Sequence, residues 1–139
     1  MRERLSQPQI FVAHSREDKK IIKKIEDRLS GLEFVSLILL KRPYPEPPAQ
    51  YFRKIIKECD AVFAIITDNV LKKWYHFAIC ECLIAYGLEK PIYIFKDKNI
   101  SNMPAIFNSM GTWEEYDLKS QNGVNRMIDH MMGIVYQMR

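Results

Sequence analysis

Short apolar runs alternate along the chain with longer stretches in which apolar residues recur every three or four positions. The first kind is Gln9 to Ala13 (QIFVA), Phe34 to Leu40 (FVSLILL), Ala61 to Thr67 (AVFAIIT) and Ile92 to Phe95 (IYIF). Runs apolar on both faces predict buried strands over residues 9–13, 34–40, 61–67 and 92–96. The second kind predicts helices over 16–30, 50–59, 70–88 and 122–138. Ser15 is placed to cap the first helix, with Asp18 in a capping-box position. Ile21, Ile22, Ile25 and Leu29 form that helix's apolar face, and Ser30-Gly31 ends it. The loop Lys41 to Pro48 (KRPYPEPP) cannot be regular helix, because each proline removes an amide donor and restricts its predecessor. Residues 99–111 read as irregular, and Thr112 to Tyr116 as a short edge strand.

Strand and helix alternate throughout, which implies an α/β fold with a mainly parallel sheet and helices on both faces. About five strands in 139 residues suit one flavodoxin-like, three-layer domain spanning residues 1–139. Such folds bind ligands outside the carboxyl ends of their strands. The chemistry is therefore expected at His14-Ser15-Arg16, at Lys41 to Pro48, at Thr67 to Trp74, and after Phe95.

Composition narrows the picture further. Apolar residues make up 47% of the chain and charged ones 27%, a mixture that can build a core. No apolar run approaches the roughly 20 residues that cross a bilayer, so the chain reads as cytoplasmic, without membrane contact. The net charge of +4 is concentrated in Lys19 to Arg28, where lysines alternate with isoleucines as on a solvated helix face. No aromatic residues interleave there, so nucleic acid is not an expected partner. Cys59, Cys80 and Cys82 form no CxxC and have no histidine at zinc spacing. Reduced, buried thiols and no metal site are expected.

Gly-rich phosphate loops, a GxSxG elbow and an HExxH helix are all absent. At residues 10–18, IFVAHSRED resembles the opening of TIR-like domains, whose first strand runs into an FISHSSxD-type sequence. The likeness continues through Cys59 to Thr67 (CDAVFAIIT), Asp68 to Trp74 (DNVLKKW), then Glu81, Ala85 and Lys90 to Ile94 (KPIYI). Two departures stand out. Trp74 precedes Glu81 by seven residues, against about four in the family, and the second-strand loop is proline-rich instead of carrying Asp-Arg and Gly.

The resemblance implies a signalling or antiphage-defence domain that cleaves NAD at its N-glycosidic bond, with Glu81 as the key carboxylate. NAD is then a substrate, and no cofactor is needed. It also implies association with itself or with other TIR-like domains. Ser15 and Arg16 would contact phosphate or ribose. His14 would be a loop donor or a structural histidine, and Trp74 a stacking platform or a core residue. Arg42 and Tyr44 enter as lid candidates by location alone.

The residues themselves also single out Glu81. Leu71, Trp74, Ala78, Cys82 and Ala85 form the inward stripe of the 70–88 segment, and Glu81 falls at its edge. A carboxylate flanked by that much apolar surface either reaches solvent or a cation, or sits in a cleft with its charge disfavoured. Two other function classes remain beside NAD cleavage. One is a non-catalytic TIR-type interaction module. The other is a nucleoside deoxyribosyltransferase-like enzyme, which also places a glutamate at a ribose.

Overall fold

The computed structural model describes residues 7–32, 35–39, 47–72, 76–111 and 113–138. Five strands, β1 (Gln9–Ala13), β2 (Ser36–Ile38), β3 (Ala61–Ile66), β4 (Ile92–Asp97) and β5 (Trp113–Tyr116), form one sheet in the order β2-β1-β3-β4-β5. Every adjacent pair is parallel. This is the flavodoxin-like order expected from the alternation. The helices are α1 (Lys19–Leu29), α2 (Pro48–Lys57), α3 (Asp68–Leu71), α4 (Phe77–Gly87) and α5 (Gln121–Gln137), with 3-10 segments at Arg16–Asp18 and Ala105–Met110.

Side-chain alternation along the strands separates two cores. Ile10, Val12, Phe63, Ile65 and Phe95 pack with α1 and α5 on one face. Phe11, Ala13, Val62, Ala64, Ile66 and Ile94 pack with α2 and α4 on the other. All six residues of β3 are buried, as its unbroken apolar run requires. Cys59 and Cys82 are buried, Cys80 is half-buried, and none forms a disulfide. Burial pushes the Cys59 thiol up to about 11.

Four sequence expectations need correction. Of the strand expected over 34–40, residues 34 and 40 lie outside the described residues, and β2 is half-buried because it pairs with β1 at the edge of the sheet instead of being covered on both faces. Pro48, assigned to the loop, is the first residue of α2, where its missing N–H has no partner to lose. The helix expected over 70–88 is two helices. Thr67, assigned to the strand, becomes the N-cap of α3. His76, with ψ of 140°, breaks the second helix from the first and caps it, its Nδ1 accepting from the Ala78 amide at 2.9 Å. Ala78, Cys82 and Ala85 still form an inward stripe, each with no exposure.

The last helix depends on one glycine. Gly123 donates its amide to the N-cap Ser120 Oγ at 2.9 Å, and a Cβ added to it would run into the Asp117 carbonyl. Because that obstacle is backbone, Gly123→Ala is expected to destabilise the fold by about 3 kcal/mol, the upper range for overpacking. Urea denaturation would measure it.

Candidate active site

Strand order reverses between β1 and β3, since β2 lies to one side of β1 and β4 and β5 to the other side of β3. The carboxyl ends of β1 and β3 therefore flank the crevice where open α/β sheets bind ligands. His14, Ser15 and Arg16 leave β1 at this point. Ser15 is 2% exposed, and its Oγ accepts from the Glu17 amide at 3.2 Å. His14 is half-buried, with Nδ1 at 3.0 Å from the Val12 carbonyl. Burial lowers its pKa, against the raising influence of that carbonyl, of Asp18 and of Glu26. Arg16 is exposed. These three residues do share the rim of the crevice. Arg42, Tyr44 and Trp74 lie outside the described residues.

Asp18 does not complete the capping box expected of it, and makes no side-chain cap bond. Its carboxylate turns across the crevice instead. Thr67 Oγ1 donates to Oδ2 at 2.6 Å, and Asn69 Nδ2 donates to Oδ1 at 2.7 Å. Asp18 and Thr67 are 8% and 5% exposed. A buried carboxylate held by two neutral donors ties the loop after β1 to the turn after β3. Asp18→Ala would leave both donors without an acceptor and is expected to cost about 3 kcal/mol of stability, read from a denaturant midpoint.

Glu81 is the fifth residue of α4. In a right-handed crossover from β3 to parallel β4, that helix starts at the carboxyl end of the sheet and runs back along it. Glu81 thus lies about 6 Å below the helix start. The sequence places it at the edge of the inward stripe, yet it is only 7% exposed. Among the described residues it makes no hydrogen bond or ion pair, and burial alone holds its pKa well above the usual carboxylate range. A carboxyl in that state is costly, and its charged form would be stabilised by a positive or hydrogen-bonding group brought beside it.

The open depression of about 520 Å³ lined by Tyr86, Glu89, Lys90, Pro91, Ile92 and Met110 is elsewhere. It sits where β4 begins, at the opposite end of the sheet. Among the described residues, no group of three or more His, Cys, Asp or Glu side chains is gathered as a metal would need. Nor is any helix among them long and apolar enough to cross a membrane.

Asp18 in its bridging role, Thr67, Asn69 and Lys96 were not singled out from the sequence, although Thr67, Asn69 and Lys96 lie in segments expected to carry chemistry. The first three join only through contacts 49 and 51 residues apart. Lys96 did carry a signal, because it continues the alternation of Ile92 and Ile94 and so had to enter the same buried layer.

No protein-family model matches this chain, and no curated protein matches it. Among solved structures, a CMP N-glycosidase of Clostridium botulinum superposes with a TM-score of 0.67. The match covers 88% of this chain and 98% of that one, at 17% sequence identity. At that identity the likeness is one of overall fold alone.

Proposed function

We propose that this protein cleaves the N-glycosidic bond of a ribosyl nucleotide, with Glu81 stabilising the positive charge that develops on the ribose. The observation that carries this reading is the buried carboxyl of Glu81 on the first turns of α4, without a hydrogen bond or ion pair among the described residues. As the C1′–N bond breaks, the base leaves with the electron pair and the sugar becomes oxocarbenium-like. A carboxylate in a site shielded from water is worth most against such a charge. Water then adds its oxygen to C1′. Its proton goes to the departing base, or to solvent where the base was a cationic pyridinium. Asp18, Thr67 and Asn69 hold the two crevice loops in place, while Ser15 and Arg16 face the sugar or its phosphate.

The TIR resemblance suggests NAD as the substrate, and the structural neighbour is named for CMP. Both molecules carry a phosphorylated ribose joined to a base through nitrogen, so the two lines of support agree on bond type and differ on base. Incubating purified protein at high concentration with CMP and, separately, with NAD, and assaying for cytosine or nicotinamide, tests the reading. Release of either free base, lost in Glu81→Gln, is the expected result. Release of neither would overturn it and favour a non-catalytic interaction module.

A further inference from the structure

Lys96 stands near the carboxyl end of β4 with its side chain 5% exposed. Ile94, two residues before it, packs in the layer built with α2 and α4, and Ile92 packs against the same layer. Ile66, its register partner on β3, belongs to that layer as well. Strand alternation therefore sends Lys96 to the face of the sheet that carries Glu81. Among the described residues its polar partner is Glu115 on β5, whose carboxylate lies 3.2 Å from Nζ and whose side chain is 51% exposed. The ammonium has three donors, and this bond uses one of them.

Stability gives little reason for such an arrangement. A buried ion pair generally returns no more than an apolar residue of similar size would, because the desolvation of the ammonium offsets the attraction. The pairing does bring the ammonium beside a carboxylate that reaches solvent, near the carboxyl end of β4, the strand next to β3. We infer that Lys96 is an anion subsite of this crevice, taking the 5′-phosphoryl group of the nucleotide whose ribose faces Glu81. This rests on the proposed function for the position of the ribose. The phosphoryl oxygens would accept from the donors that Glu115 leaves unused, and Glu115 would act as a competing anion that substrate partly displaces.

The test compares binding of phosphorylated and unphosphorylated partners by calorimetry: CMP against cytidine, and nicotinamide mononucleotide against nicotinamide riboside. It is done in a Glu81→Gln background so that nothing is consumed. Lys96→Met is expected to weaken the phosphorylated member of a pair by about tenfold or more, the scale of one charge-assisted hydrogen bond, and to leave the nucleoside unchanged. Lys96→Arg should keep the preference for phosphate. Glu115→Gln should strengthen it, a change opposite in sign to that of Lys96→Met.

A merely structural ion pair predicts otherwise: both variants would weaken nucleotide and nucleoside alike. That result would overturn the inference, as would a phosphate preference that survives Lys96→Met in a protein with an unchanged melting temperature. Failure of all four compounds to bind would overturn it too. Which pair shows the preference separates a nucleoside monophosphate site from a pyridine-nucleotide one. Since turnover plays no part in the readout, wild-type protein that binds CMP through Lys96 but releases neither cytosine from CMP nor nicotinamide from NAD would end the proposed reaction and leave the subsite standing.

Discussion

Glu81→Gln is expected to lower nucleotide cleavage about a hundredfold or more, because removing one preorganised electrostatic stabiliser typically costs about 3–4 kcal/mol of barrier. The substitution keeps the side-chain volume and alters one oxygen, so the packing of Ala78, Cys82 and Ala85 around it should survive. The matched control is Glu89→Gln. Glu89 lies past the end of α4, just before β4 begins, and borders the depression at the opposite end of the sheet. Base release by the two variants under identical conditions decides the matter. Near-equal rates in Glu81→Gln and wild type would remove the mechanism.

The second large effect is a crossing of stability and activity with pH. Burial holds the Glu81 carboxyl well above its ordinary value of 4.5, so the native protein keeps a proton that the unfolded chain has released. Between those two values the native state binds more protons, and stability must fall as pH rises. It levels off once pH exceeds the native pKa. Cleavage needs the charged form and should climb across the same window. His14 has the opposite leaning: its pKa is depressed, so its contribution is lost as pH falls below 6.5. That contribution is common to wild type and Glu81→Gln and cancels in their difference. The expected result is a melting-temperature gap in favour of Glu81→Gln that is near zero in acid and widens upward. Wild-type kcat/KM should rise in step with it. Activity that declines through this window would mean that Glu81 acts as the acid form instead.

The sheet was legible because β1, β3 and β4 are apolar on both faces, a property that only a central parallel strand needs. The edge position of β2 was not, since its apolar sequence resembles a buried strand and nothing local says that no neighbour follows. The break between α3 and α4 escaped for a similar reason. Residues 69–75 continue a helical apolar spacing without Gly or Pro, while α3 ends at Leu71 and α4 starts from the extended backbone of His76. At Asp18 a local capping pattern competed with a tertiary partner, and the partner prevailed. The bond to Thr67 spans 49 residues, beyond the reach of any local pattern. The placement of Glu81 on its helix was read correctly from periodicity. Its depth was not, because depth depends on how closely α4 lies against β1 and β3.

The order of the strands also dictates the order in which the chain can be completed. β1 is made first, yet it is central, and one of its two partners is β3, with Ile10 opposite Ala61. At ~5–20 residues per second a ribosome takes about 3–10 s to supply the intervening fifty or so residues. Through that interval QIFVA is an apolar strand with at most the short β2 beside it. Loop closure over such a distance is slow compared with forming α1 or α2. The nascent protein therefore passes through a stage in which an interior strand, buried from Ile10 to Ala13 in the finished sheet, is exposed, and its yield should depend on synthesis rate and on chaperones that hold extended apolar segments.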